Sequence, residues 1–156
     1  MEMFNKIKIK IGDETDIKTI ESNTKIMANE TEHKTLKQSV IHNGINEVLN
    51  NPSLGWYYLA EIDGNNAGQL MITREWSDCN NGYFWWIQSV FVKKEYRNNG
   101  VYSILHNHAK EKAEKMGAIG LRLYVDTRNK SAQSVYKKLG MVNSNYVFFE
   151  DNWSKC

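Results

Sequence analysis

Proline is almost absent from this chain of 156 residues, with only Pro52, and cysteine occurs twice, as Cys79 and Cys156. Two cysteines, one in a polar loop and one at the last position, build neither a disulfide framework nor a metal site, so both are expected to be free thiols. Long apolar runs are also missing. No stretch has transmembrane length and none resembles a secretory h-region, so a cytoplasmic protein without a membrane partner is expected. Charge of one sign is scarce: the net charge is +2, and no basic run is long enough to track a phosphate backbone, which argues against nucleic acid. Repeats and low-complexity tracts are absent, and neither GxGxxG nor a GxxxxGK loop followed by Ser or Thr occurs, which disfavours dinucleotide and P-loop readings. What remains, 41% hydrophobic and 24% charged residues, is the composition of a globular protein, expected as a single domain over residues 1–156.

The apolar spacing orders the elements. Lys6 to Ile11 alternates strictly and predicts a strand with Ile7, Ile9 and Ile11 inward, turned by Gly12, Asp13 and Glu14. Helical spacing covers Asp16 to Ala28 through Ile17, Ile20, Ile26 and Met27, and Leu36 to Leu49 through Val40, Ile41, Ile45, Val48 and Leu49. The polar "NETEHKT" between them is expected as a flexible link. The segments "WYYLAEID" and "AGQLMITREW" flank Gly64, Asn65 and Asn66, a hairpin signal, and Cys79 to Gly82 is a second turn feeding "YFWWIQSVFV". A last strand is expected at "YVFFED", Tyr146 to Asp151. The implied architecture is α/β (α+β), a mixed, mostly antiparallel sheet of six to seven strands with helices on both faces.

The stretch "VFVKKEYRNNGVYSIL", Val90 to Leu105, carries the strongest functional signal. Its strand enters a basic Asn-Gly loop that opens into a helix with Val101, Ile104, Leu105, His108, Ala109, Ala113 and Met116 on one face, and Gly117 ends the helix. Leu121, Leu123 and Val125 alternate into a second strand, giving a right-handed crossover between parallel strands. Outward amides at a positive helix end hold a phosphate-bearing ligand without a metal, so the loop is a candidate anion site. Downstream, "TRNKSAQSVYKKLGMV" offers Asn129 as a helix cap, an apolar face of Ala132, Val135, Tyr136 and Leu139, and Gly140 as the stop.

Together these two segments resemble the acetyl-CoA site of the GNAT superfamily of N-acetyltransferases. The superfamily's pyrophosphate loop runs Arg or Gln, two variable residues, Gly, one variable residue, then Gly or Ala. Here it reads Arg97, Asn98, Asn99, Gly100, Val101, Tyr102, departing at Tyr102. The second motif matches at Asn129, Tyr136, Lys138, Leu139 and Gly140, with Met141 where Phe is commoner. The resemblance covers nearly the whole chain and implies an acetyl-CoA-dependent acyltransferase that needs no metal. It would acetylate a primary amine of a small molecule or peptide by direct attack in a ternary complex. The alternative is a non-catalytic acyl-CoA-binding module.

Acetyl transfer to an amine requires a neutral amine, donors for the developing oxyanion and a proton for the departing thiolate. By the resemblance, Tyr136 is the proton donor, a phenol that stays protonated at neutral pH. The strand residues Val90, Phe91 and Val92 would hold the pantetheine arm and supply an oxyanion amide. Arg97, Asn98, Asn99, Gly100, Val101, Tyr102 and Ser103 would bind the diphosphate, with Asn129 also on the cofactor side. Alternation puts Trp86, Gln88 and Val90 on one face, which the resemblance makes the acceptor side, with Glu75 nearby. Glu75, Glu61 and Asp78 are candidate bases beside deprotonation through water. Ring faces among the aromatics of Trp56 to Trp86 could attract an ammonium acceptor. Apolar strands near the C-terminus are compatible with a homodimer.

Overall fold

The structure is a computed structural model that describes residues 7–153; Lys6, expected to open the first strand, and Cys156 lie outside them. Contacts separate the chain into two compact units, Met1–Leu123 and Tyr124–Cys156.

The first unit is a five-stranded sheet in the order β1 (Ile7–Ile11), β2 (Trp56–Ile62), β3 (Asn65–Ser77), β4 (Gly82–Val92) and β5 (Gly120–Arg122). The first three pairings are antiparallel and the last is parallel, with Trp86 opposite Arg122. The parallel pair has to be joined by a crossover, and helix α3 (Val101–Lys115) supplies it. A tight Asp63–Gly64 turn links β2 to β3. Both residues have positive φ, 49° and 79°, as a two-residue hairpin of this hand requires. Asn65 and Asn66, expected in that turn, belong to β3 instead.

Both faces of the sheet are covered. On one, Tyr58, Ala60, Leu70, Ile72, Trp85 and Ile87 pack with Val101, Leu105, Ala109 and Ala113 of α3. On the other, Tyr57 and Leu59 pack with Ile20 of α1 (Ile17–Glu32) and with Ile41 and Ile45 of α2 (Gln38–Asn50). Leu70 and Ile72 are fully buried, and each such side chain contributes roughly 1.5–3 kcal/mol relative to exposure.

Several expectations change. Helix α1 continues through Asn29 to Glu32 before His33, at φ 52°, ends it, so half of the expected link is helical. Ile26, Val40 and Ile11, counted as inward, are 43%, 60% and 62% exposed. Leu123 to Val125 carry no ladder beyond β5, and neither do Tyr146 to Asp151, so among the described residues the sheet has five strands where six to seven were expected. Alternation gives such a segment strand propensity, but a strand exists only with a paired edge, and Phe149 is 88% exposed.

The second unit is built on α4 (Lys130–Lys138), closed at both ends. Asn129 Oδ1 accepts from the Ala132 amide at 3.0 Å. At the other end Gly140, at φ 89°, lets its own amide reach Lys137 O and the Met141 amide reach Tyr136 O, each at 3.0 Å. Tyr124 stacks on Phe148 within this unit, with ring centroids 5.5 Å apart.

Candidate active site

Strand β4 breaks its own alternation. Gln69 pairs with Phe91 and Met71 with Gln88, so Ser89 and Val90 together face the single residue Leu70, which is a β-bulge. Ser89 sits at φ 49°, a left-handed conformation that a non-glycine residue adopts at a cost of about 1–2 kcal/mol. The bulge reverses the phase of everything after it. Val90 and Val92 join the α3-side cluster with Ile87, whereas Trp86 and Gln88 stay on the opposite face. The expected common face of Trp86, Gln88 and Val90 is therefore corrected to Trp86 and Gln88 alone.

A buried polar network supports the bulge from the α1 side. Gln69, fully buried, lies within hydrogen-bond reach of the Ser89 carbonyl and of Thr24 Oγ1, both at 3.4 Å. Asn23 of α1, 1% exposed, donates to Gln69 Oε1 and to Asn66 Oδ1, each at 3.0 Å. A polar pair this deep persists because its hydrogen bonds are met internally. Ser89, Gln69 and Asn23 were not singled out from the sequence. The available signal was an uncharged polar residue inside the apolar run "AGQLMI".

Beyond Val92 the chain makes a 3-10 turn, Lys94–Tyr96, then passes Asn98 at φ 63° and Gly100 at φ 75° into α3. The first bond of this helix runs from the Ile104 amide to Gly100 O, so the amides of Val101 to Ser103 precede its ladder, at its positive end. Arg97 turns back along the strand. Its Nε donates to Val92 O at 2.8 Å and its terminal nitrogen meets Glu30 of α1 at 2.7 Å, so it pins the loop to β4 and α1. Asn99 Nδ2 donates to Arg97 O at 3.0 Å. The Tyr102 ring lies along α3, its hydroxyl 3.1 Å from Nδ1 of buried His106. Burial lowers the His106 pKa.

On the α1/α2 face, Glu75 accepts from Trp86 Nε1 at 2.9 Å and from Arg122 at 2.8 Å, while Gln88 donates to Thr73 Oγ1. The Arg122 guanidinium lies 3.4 Å from the centroid of the Phe84 ring. That ring rests against Gly120, where a Cβ would approach it to 3.1 Å. Trp86, Gln88 and Glu75 are thus brought onto one surface. The hydrogen bond from Trp86, then that from Arg122, holds the Glu75 carboxyl below the usual carboxylate range. The other two carboxylates lie apart: Glu61 pairs with Lys10 at 3.1 Å, and Asp78 accepts from the Cys79 amide in its turn. Also unforeseen, buried Glu21 of α1 accepts from Gln38 at 3.1 Å and pairs with His42, bracing α1 against α2. In the second unit, burial raises the Tyr136 phenol pKa. Cys79 is exposed and unbridged.

The sequence from residue 17 to 141 matches the model of the Acetyltransferase (GNAT) family. The chain belongs to this family. With it, the chain takes its place among the acyltransferases. The GNAT match spans β4, the bulge, the loop 97–103 and α4. A crystal structure of a possible acetyltransferase from Clostridium difficile 630 superposes with a TM-score of 0.89 at 35% identity, covering 96% of this chain and 99% of that one. A Bacillus subtilis protein with the provisional name ribosomal protein bS18-alanine N-acetyltransferase is 33% identical over 110 residues, 68% of this chain and 67% of its own. An uncharacterised N-acetyltransferase from Methanocaldococcus jannaschii is 29% identical over 92 residues. That stretch is 58% of this chain and 41% of the archaeal protein, so this chain spans about two-fifths of that relative's length. No helix of the described residues is long and apolar enough to cross a membrane, and no group of three among them could hold a metal ion.

Proposed function

We propose that this GNAT chain works as one domain over residues 1–156, moving an acetyl group from acetyl-CoA to a primary amine of a small molecule or peptide. The observation that carries the reading is the junction of β4 and α3. A bulge at Ser89 is followed, eleven residues on, by a left-handed Gly100 that opens the helix. The loop would hold the diphosphate through its main-chain amides. Its shape is prepared in advance by Arg97 and Asn99, which lowers the cost of ordering it on binding. Strand β4 from Val90 to Val92 would align the pantetheine arm. A bulge frees main-chain groups from the ladder, and an amide so released is a donor for the oxygen that becomes anionic.

Tyr136 is assigned as proton donor to the departing thiolate. Its raised pKa supports the role, since the phenol keeps its proton throughout the neutral range. Glu75 suits the acceptor surface better than the base, because a carboxylate already holding two donors has little basicity left. Proton removal from the amine is assigned to water, and Trp86 and Gln88 to contact with the acceptor.

Thiol release from acetyl-CoA across a panel of small amines and N-terminal peptides tests the reading. An alanine-terminated peptide belongs in the panel because of the name of the Bacillus relative. Release that depends on one acceptor class is the expected result. Acetyl-CoA binding without release for any amine would convert the reading to a non-catalytic acyl-CoA-binding module.

A further inference from the structure

Well away from the loop 97–103, a cavity is lined both by residues of the α3-side face of the sheet and by residues at the C-terminal end of α2. It encloses about 550 Å³ and is walled by Val48, Leu49, Trp56, Tyr58 and Met116, with Arg74 the one charged residue lining it. Helix α3 measures the separation. The loop opens this helix at Gly100 and Met116 caps its far end, so at 1.5 Å per residue the two places lie roughly 20 Å apart.

Arg74 makes the cavity more than an unfilled gap. The chain has four arginines, and three of them meet a carboxylate: Arg97 with Glu30, Arg122 with Glu75 and Arg128 with Asp126. Arg74 meets none among the described residues. Its guanidinium is held by rings instead, 4.7 Å from the Tyr83 centroid and 5.9 Å from that of Trp56. Rings fix the plane of a guanidinium without neutralising it, and a fixed planar fork is the group that best matches a carboxylate. The neighbouring carboxylate, Glu75, points to the opposite face and is engaged there by Trp86 and Arg122.

We infer that this cavity binds a small amphipathic monocarboxylate, its aromatic or alkyl body among Val48, Leu49, Trp56 and Met116 and its carboxylate on Arg74. The volume lies within the range of about 300–1,000 Å³ usual for small-ligand sites, and the apolar wall with one polar anchor is their common composition. One positive charge selects a monoanion over a phosphate dianion. The site is separate from the proposed acetyl-CoA loop and does not depend on that assignment.

Isothermal titration of the whole chain with 6-phenylhexanoate and with neutral 6-phenylhexan-1-ol tests it. The acid should bind once per chain, at least ten-fold more tightly than the alcohol. Arg74→Gln should bring the acid down to the alcohol's affinity while leaving acetyl-CoA binding unchanged, and Met116→Trp, which fills the cavity, should weaken both ligands. Failure of the acid to bind at millimolar concentration, equal affinity of acid and alcohol for the unmodified chain, or undiminished acid binding to Arg74→Gln would each overturn the inference. The comparison of acid with alcohol needs no variant, so it decides the matter even if a substitution impairs folding.

Discussion

Replacing Gln69 with Leu is the sharpest test of the β4 bulge. The change preserves shape but removes the good hydrogen bond from Asn23 at 3.0 Å and the two longer contacts at 3.4 Å to Thr24 and Ser89. Asn23 keeps its bond to Asn66, so it is not stranded. One lost bond costs about 1 kcal/mol, and the Ser89 carbonyl, left without its side-chain partner, adds about 1–2 kcal/mol. Leucine returns roughly 1 kcal/mol through its greater apolarity. The net loss is about 1–2 kcal/mol, a shift of roughly 1 M in a urea midpoint, which a domain of ordinary stability survives. Activity should suffer more. Ser89 holds a left-handed φ only because its surroundings impose it, and a relaxed bulge misdirects the amide assigned to the oxyanion. Turnover should fall at least ten-fold, with the KM for acetyl-CoA changed by less than about three-fold, because the loop 97–103 is untouched. A variant destabilised as expected yet turning over at the original rate would refute the positioning role and leave the network purely structural.

Three further outcomes are expected. Gly100→Glu should abolish acetyl-CoA binding by calorimetry, since it puts a side chain at φ 75° and a negative charge at the helix end assigned to the diphosphate; unchanged affinity would dismiss the loop. Tyr136→Phe should cut turnover more than ten-fold while acetyl-CoA affinity stays within about two-fold, and equal turnover would remove the proton-donor assignment. Tyr57, buried between the sheet and α2, has its phenol pushed up to about 12. A raised folded pKa means that its contribution is intact below pH about 10, where unfolded tyrosine titrates, and is lost as pH climbs towards 12. Urea midpoints should therefore decline above pH 10, and less steeply in Tyr57→Phe; identical slopes would refute the linkage.

The elements legible in the sequence were those governed by local rules. Asn129 and Gly140 bound a helix because a capping oxygen and a left-handed glycine act within a few residues. The parallel β4–β5 pair followed from an amphipathic helix of crossover length between two strand patterns. Tyr146 to Asp151 misled because strand propensity is local, whereas a strand's existence depends on a distant edge. Ser89 was illegible for a related reason: a bulge belongs to a pair of strands, and only the register of Gln69 with Phe91 discloses the extra residue. Glu75 was noticed as a charge. Its partners Trp86 and Arg122 lie 11 and 47 residues away, so its depressed pKa could not be read from spacing.

The surplus residue in β4 also makes this strand respond differently to a residue lost and a residue gained. Deleting Ser89 would restore an uninterrupted zigzag with Val90 opposite Leu70 and Val90, Phe91 and Val92 on their present faces, but it would erase the bulge, whereas one more residue there would turn all three over and push the entrance of the following loop one step out of place. Insertions absorbed easily at the exposed Asp63–Gly64 hairpin tip should thus be lethal to activity here through the lost phase, and a deletion at Ser89 through the lost bulge amide assigned to the oxyanion. Comparing single-codon deletions along Gly82–Val92 would map where this chain counts its residues most strictly.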